Sequence, residues 1–332
     1  MTVLEGKNIL ITGGTGSFGQ AFIKWILIND NPARVVVYSR DEFKQYEMNR
    51  AFHNHLGKLR FFIGDVRDEK RLRRALEGVD IVVHAAALKH VPSCEYNPLE
   101  AVYTNILGTG NVITACIEAG VKRVVYLSTD KACMPINLYG GTKLVGEKLV
   151  TQANYYAPIF NVVRYGNVIG ARGGVIDLFR EKIAQRAFQL PITHKKMTRF
   201  WVSYQQAISA VYYAIKAQVG TVHIMKAPSI RIVDFAKAFH TNVTLEEVGL
   251  RPGEKLHEIL VHEYEAPRTW EKQDSFIVLP EHIFDEKIDY TKDIAKAKRV
   301  LPNFIYRSDT NNDWLDRKTI RRMLKDGTRK TG

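Results

Sequence analysis

The sequence predicts an α/β fold, a doubly wound parallel sheet with a smaller C-terminal lobe, and three observations carry the prediction. From Lys7 to about Tyr165 short β-branched runs alternate with longer amphipathic stretches. The runs are continuously apolar, the pattern of strands buried on both faces of a parallel sheet beneath covering helices. A glycine-rich turn directly follows the first run.

NILIT (8–12) is the first strand, and the glycine turn behind it opens the first helix. RVVVY (34–38), LRFFI (59–63), DIVVHAA (80–86), RVVYLS (123–128) and IFNVVRY (159–165) supply the next five strands. Beyond Tyr165 the pattern loosens: Gly166, Gly170, Gly173 and Gly174 mark a loop, and a helix follows over about 176–187. A helix over about 204–218 and a strand over 221–226 return to the sheet. The chain thus divides into residues 1–165, with returns at about 200–226, and a smaller α/β lobe of 166–199 and 227–332. That lobe holds RIVDFAKAF (231–239) and VGLRPGEKLHEIL (248–260).

Composition narrows the function classes. At 332 residues, 45% hydrophobic and 25% charged, the chain is long enough for a well-buried core and too apolar for extended disorder. Its net charge of +13 favours anionic partners: a dinucleotide, a phosphorylated small molecule, a nucleic acid or an acidic membrane. Much of that charge is scattered, and the basic tail from Arg317 to Lys330 is expected to be solvated and partly disordered at its end. Three cysteines without a CxxC pair argue against a disulfide framework or a structural zinc, and no metal is expected. With a strand starting near Lys7, no signal segment and no membrane span are predicted, so the expected setting is the cytoplasm.

TGGTGSFGQAF, from Thr12 to Phe22, lies between the first strand and the first helix. Gly13, Gly16 and Gly19 permit a tight turn, close approach of backbone N–H groups to a pyrophosphate, and tight helix-to-strand packing. The helix N-terminus adds its dipole. Gly13, Thr15, Gly16, Ser17, Phe18 and Gly19 are therefore cofactor-binding candidates, and the sheet is of Rossmann type. The second strand ends YSRDEFKQ, where Ser39, Arg40 and Lys44 suit a ribose 2′-phosphate and favour NADP over NAD. Asp41 keeps NAD open, and it also fits a helix N-cap. Asp65 and Val66 after the third strand are placed for the adenine edge, and Ala85, Ala86 and Ala87 let a cofactor lie against the backbone.

STDKACMPINLYGGTK, from Ser128 to Lys143, concentrates Thr129, Asp130, Lys131, Tyr139 and Lys143. On a helix, Tyr139 and Lys143 share one face, so the ammonium is expected to lower the phenol pKa and make Tyr139 a base. Both are also cofactor-binding candidates. An isolated YxxxK is more often plain helix surface. Asp130 and Lys131 fit an acid and a base, or a simple ion pair capping a turn.

TGGTGSFG, GDVRD, HAAALKHVP and YxxxK in this order resemble the extended short-chain dehydrogenase/reductase superfamily. SRDEFKQ, HAAALKHVPSCEYNP, STDKACMPINLYGGTKL, VVRYGNVIGARGGVI, MTRFW and RPGEKLHE together resemble the inverting UDP-N-acetylglucosamine 4,6-dehydratases, over roughly residues 5–285. The resemblance implies a homo-oligomer that uses NADP, regenerates it each turnover, and opens a pseudaminic-acid-type pathway. The implied product is UDP-2-acetamido-2,6-dideoxy-β-L-arabino-hexos-4-ulose. The same resemblance implies that Tyr139 takes the proton of the carbon-4 hydroxyl, that Thr129 hydrogen-bonds the carbon-4 oxygen, that Lys131 removes the carbon-5 proton, and that Asp130 protonates the leaving carbon-6 hydroxyl.

Within this branch, 4-epimerases usually carry small residues where Asp130 and Lys131 stand, and configuration-retaining relatives typically carry Met in place of Tyr139. Lys89 is a candidate for cofactor, sugar or phosphate, or a surface lysine; Asn167, Arg172, Arg199, Arg251 and Glu254 resemble diphosphate- and uridine-binding positions. Asn105 fits a structural helix position near the site. His194, Lys195 and Lys196 depart from the family, which more often has an acidic residue in that loop. A retaining dehydratase, a 4-epimerase and a nucleic-acid-binding Rossmann protein are the alternatives. The last lacks an aromatic-basic stacking motif, so no nucleic-acid partner is expected.

Overall fold

The structure, a computed structural model, describes residues 3–170, 173–218, 220–282 and 288–326. Each early apolar run forms a strand: β1 (Asn8–Thr12), β2 (Arg34–Ser39), β3 (Leu59–Ile63), β4 (Ile81–His84), β5 (Arg123–Thr129) and β6 (Ile159–Tyr165). They pair in parallel in the order β3-β2-β1-β4-β5-β6. Strand order reverses between β1 and β4, and there a Rossmann-type sheet opens a crevice at its carboxyl edge.

The intervening helices are α1 (Ser17–Asn29), α2 (Glu42–Ala51), α3 (Glu69–Ala75), α4 (Val91–Tyr96), α5 (Pro98–Val102), α6 (Gly108–Glu118) and α7 (Leu138–Gln152). Alternate strand residues feed two cores. Leu10, Val36, Val82 and Val124 face Leu72 of α3 and Val112 of α6, while Ile9, Ile11, Val35 and Val37 face Phe22 and Ile26 of α1. A π-helical turn, Tyr103–Leu107, joins α5 to α6 and turns Asn105 inward. Asn105 receives Leu88 N at 2.8 Å and donates to Leu88 O at 2.9 Å and Thr142 Oγ1 at 3.0 Å. It thus ties the loop after β4 to α7, the structural role expected of it.

Past β6 the chain leaves the sheet for β7 (Asn167–Val168), α8 (Val175–Ala184), β8 (Gln189–Ile192) and β9 (Thr198–Val202). It returns through α9 (Tyr204–Lys216) and β10 (Val222–Met225), which pairs parallel to β6. β11 (Ser229–Arg231), α10 (Ile232–Phe239), β12 (Thr244–Glu247) and β13 (Ile259–Val261) then build the second lobe. Its core sets Phe179, Leu190 and Trp201 against Phe235, with Phe200 fully buried at the junction.

The last stretch differs from expectation. β14 (Thr269–Glu271), β15 (Ser275–Val278) and β16 (Lys298–Arg299) extend the main sheet in antiparallel fashion beyond β10. The sequence pattern assigns them to the smaller lobe because strands this short, at a sheet end, lack the long apolar runs of buried parallel strands. β17 (Tyr306–Arg307) pairs with β13, and α11 (Arg317–Asp326) buries Ile320 and Leu324 in the second lobe's core. The tail expected to be solvated surface is thus helical up to Asp326, with Arg317 paired to Asp234 at 2.9 Å. The disorder expected at its end falls outside the described residues.

Candidate active site

A cleft of about 670 Å³ opens at the carboxyl ends of β1, β4, β5 and β6. Its floor is the glycine turn. Gly13 has φ +65°, and a Cβ there would lie 2.9 Å from Ala86 Cα; a Cβ on Gly19 would lie 2.6 Å from the Gly14 carbonyl oxygen. Glycine is therefore required both for the turn and for the close packing of α1. Gly16 caps α1 without a side-chain hydrogen bond, so the first N–H groups face the cleft, the arrangement that receives a phosphate. Thr12 Oγ1 accepts from Ala85 N at 3.1 Å and Ala86 N at 3.2 Å, fixing the alanine wall opposite. These are the dimensions and donors a dinucleotide needs.

Thr15, Ser17, Phe18, Ser39, Arg40, Lys44, Asp65, Val66, Ala87 and Lys89 all line the same cleft. Ser39 is buried beneath Gln45, whose Nε2 donates to its Oγ at 3.2 Å. Arg40 lies 3.5 Å from Asp65, and Lys44 pairs with Asp41 at 2.6 Å. Asp41 also caps α2, accepting from Lys44 N at 2.9 Å. The Asp65 carboxylate is engaged by Arg67 at 2.8 Å. Burial pulls the Lys89 ammonium below its ordinary pKa against the opposing influence of Asp177.

β5 ends by delivering Thr129 into a 3₁₀ turn over Asp130–Ala132, and α7 begins at Leu138 under an Asn137 cap that accepts from Gly140 N at 2.7 Å. This brings Thr129, Asp130, Lys131, Tyr139 and Lys143 to one wall of the cleft. A Cβ on Gly140 would collide with the Lys131 carbonyl oxygen, so glycine allows turn and helix to touch. Asp130, wholly buried, accepts on Oδ1 from Thr129 Oγ1 and Lys131 Nζ, each at 3.0 Å, while its Oδ2 has no hydrogen-bond partner. Burial and the neighbouring Glu258 raise its pKa despite Lys131. Asp130 thus has the raised proton affinity an acid needs before any further closure of the site.

Two expectations change. Tyr139 is not lowered by Lys143: burial pushes it up to about 12, opposed by Lys131 and a Thr129 hydrogen bond. Lys143 instead donates to Leu127 O at 2.5 Å and lies 3.8 Å from the centre of the Tyr126 ring, and burial brings its pKa down to about 7. Lys131 is not drawn toward neutrality: burial favours the amine, but Asp130 and Glu258 outweigh it and hold the ammonium.

Glu258 is the residue the sequence reading missed. It stands at the end of the RPGEKLHE motif, 1% exposed, with Oε1 3.2 Å from Lys131 Nζ and 3.7 Å from Arg199 Nε. The signal was a second glutamate, four residues after Glu254, in a motif already singled out.

The substrate candidates separate. Lys89 and Asn167 line the cleft, and Asn167 Oδ1 is buried without a hydrogen-bond partner. Arg199 lies behind Lys131, donating to Thr198 O at 2.7 Å and pairing with Glu254 at 3.4 Å. Arg251 is exposed, with its N–H donating to Glu254 Oε2 at 3.3 Å. Neither arginine nor Glu254 lines the cleft. Arg172 lies outside the described residues. In the loop that departs from the family, Lys195 pairs with Glu247 at 3.4 Å.

Behind the site, Arg164 is held by Glu147 at 2.7 Å and Glu265 at 2.8 Å. Cys133 and His262 approach Glu265 closely, but both Glu265 oxygens accept from Arg164, which disfavours a metal there. No helix among the described residues is long and apolar enough to cross a membrane.

Comparison with known proteins gives one family, described as "Polysaccharide biosynthesis protein", which matches residues 9–280. A UDP-N-acetylglucosamine 4,6-dehydratase (inverting) from Campylobacter jejuni is 45% identical over 96% of this chain and 97% of its own length. A UDP-glucose 4-epimerase from Rickettsia massiliae is 43% identical over 81% of this chain and 82% of its own. The crystal structure of Pen from Bacillus thuringiensis superposes with a TM-score of 0.87 at 37% identity, over 98% of this chain and 100% of that one.

Proposed function

The chain belongs to the polysaccharide biosynthesis protein family, within the extended short-chain dehydrogenase/reductases, and from that premise we propose that it is an inverting UDP-N-acetylglucosamine 4,6-dehydratase, a lyase. One observation carries this reading: Asp130 and Lys131, 3.0 Å apart, sit beside Tyr139 on the wall of the nucleotide cleft, with one Asp130 oxygen unpartnered. Hydride transfer alone needs only the tyrosine; an acid and a base next to it supply what loss of water requires.

A nicotinamide cofactor bound in the cleft would accept hydride from carbon 4 of the sugar and return it to carbon 6. NADP is favoured over NAD by the two cations Arg40 and Lys44 at the ribose end. Tyr139 takes the carbon-4 hydroxyl proton while Thr129 holds the oxygen; against burial, Lys131 and the Thr129 hydrogen bond favour its phenolate, and the positive nicotinamide ring of a bound cofactor would add to them. The resulting ketone acidifies carbon 5. A proton passing from Lys131 to Asp130 creates amine and carboxylic acid together; Lys131 then removes the carbon-5 proton and Asp130 protonates the departing carbon-6 hydroxyl. Reprotonation of carbon 5 from the opposite face by solvent inverts it, and the proton held by Tyr139 passes back to solvent, giving the 4-keto-6-deoxy-L-arabino product, the first intermediate of a pseudaminic-acid-type sugar. Lys89 and Asn167 hold the sugar nucleotide. The three buried thiols, Cys94, Cys116 and Cys133, suit a cytoplasmic enzyme, and a homo-oligomer is the assembly proposed.

Proton NMR of the product formed from UDP-N-acetylglucosamine tests the reading. A new methyl doublet is expected, with coupling to the carbon-5 proton reporting inversion; a retained configuration refutes the inverting assignment. The resemblance to the Rickettsia 4-epimerase favours epimerisation as the second reading, which predicts a carbon-4 epimer and no methyl signal.

A further inference from the structure

Glu258 reaches the catalytic wall from the other lobe. Its backbone is clamped on both sides: Glu258 N donates to Ser308 Oγ at 3.0 Å, and Ser308 N donates to Glu258 O at 2.9 Å. Ser308 Oγ is in turn 2.7 Å from Thr198 Oγ1. The ladder fixes the backbone from which the side chain projects, and its Oε2 is buried without a hydrogen-bond partner, 4.0 Å from Lys255 Nζ. Lys131 Nζ therefore lies between two buried carboxylates, 3.0 Å from Asp130 and 3.2 Å from Glu258. The other charged or titratable groups facing this cluster are Arg199 of β9, Lys255 of the same loop at 4.0 Å, and Tyr139 of α7.

We propose that Glu258 is a positioning residue that stays ionised and keeps both members of the Asp130–Lys131 pair avid for protons, so that Lys131 is a strong base at carbon 5 while Asp130 remains the proton donor. The inference deepens the dehydratase reading and rests on it. When Lys131 takes the carbon-5 proton and Asp130 gives its own to the leaving hydroxyl, the pair passes from amine and acid to ammonium and carboxylate, and water departs. Because Glu258 contacts Lys131, it favours the ammonium as it forms, an electrostatic contribution present before the substrate arrives. Glu258 is itself held ionised: burial works against the charge, but Lys131, Arg199 and Lys255 together pull its pKa below the ordinary glutamate value. Asp130 and Lys131 are both raised, as an anion shared by the pair requires.

The test is Glu258→Gln in the full chain, which keeps size and polarity but removes the charge, with Glu258→Asp as the charge-retaining control. Loss of one such electrostatic contact is expected to slow dehydration by about 10²–10³-fold. Both limbs of the pH–rate profile should move to lower pH in Glu258→Gln and stay near the wild-type position in Glu258→Asp. A second readout needs no turnover: the pH at which Lys131 becomes reactive toward an amine-acylating reagent, followed by mass spectrometry, should fall in Glu258→Gln. Unchanged Lys131 labelling in a folded Glu258→Gln variant overturns the proposal, as does a rate loss that is uniform at every pH. If the wild type makes no 4-keto-6-deoxy product while the labelling shift appears, the dehydratase reading fails and the electrostatic role of Glu258 stands.

Discussion

Two buried charge clusters lie side by side in this protein and are built to opposite specifications. Around Arg164, every strong group is matched: the guanidinium donates to Glu147, Glu265 and Leu260 O, and Ser128 Oγ closes on Glu147 at 2.5 Å. Around Lys131 the cations are not scarce, since Arg199 and Lys255 also approach Glu258 at 3.7 and 4.0 Å, but hydrogen bonds are: both Asp130 Oδ2 and Glu258 Oε2 are buried without hydrogen-bond partners. A buried ion cluster with its lone pairs filled holds a fold together; one left short keeps its groups open to proton exchange. Both clusters join the first lobe to the segment around β13, Glu258 standing before that strand and Glu265 after it.

Four experiments break or sharpen that contrast. The largest effect is expected from Lys131→Ala, which should abolish dehydration by about 10³-fold or more while leaving the fold intact; undiminished 4-keto-6-deoxy product, measured by NMR, would remove Lys131 from the chemistry. Arg164→Met should do the reverse, leaving two carboxylates buried without a cation and lowering stability by about 3–5 kcal/mol in urea unfolding. A midpoint unchanged from wild type would show that the matched cluster contributes nothing.

The third concerns acid. In the matched cluster Arg164 outweighs burial and holds the Glu265 carboxyl down at about 2. A depressed acid contributes stability that is fully present above its unfolded pKa near 4.3 and is lost as pH falls through the folded value, on the order of 3 kcal/mol. Glu265→Gln should flatten the stability–pH curve between about pH 4.3 and 2, measured by urea midpoints across that range. The smallest effect lies outside both clusters: Arg40→Ala, an exposed cation at the ribose end, should weaken NADP binding about tenfold and leave NAD binding nearly unchanged, measured by calorimetry. Equal losses for both cofactors would count against the 2′-phosphate assignment.

Most of what positions the site was legible along the chain, because parallel strands and glycine turns are written in local patterns. NILIT followed by TGGTGSFG reads as one strand and one tight turn, and the Asp130–Lys131 and Tyr139–Lys143 pairs are close in sequence. What stayed hidden is long-range electrostatics. Lys143 spends its ammonium on the Leu127 carbonyl, a contact no helical spacing predicts, and Glu258 joins Lys131 only because β13 pairs with β17. Arg164 is one arginine inside the apolar run IFNVVRY, and its two acids lie on α7 and beyond β13. Motif resemblance places Arg199, Arg251 and Glu254 at the substrate; in the structure Arg199 and Glu254 bond to each other, and the Arg251 backbone bonds to Glu254.

The matched cluster also bears on how the protein is made. Glu265 follows Arg164 by 101 residues, so at translation rates of about 5–20 residues per second the arginine waits roughly 5–20 s on the ribosome before its second counter-ion exists. Until then the strand that carries it has only Glu147 of its two carboxylate partners. Both buried clusters, and with them the catalytic wall, are therefore completed only after the segment around β13 has been synthesised.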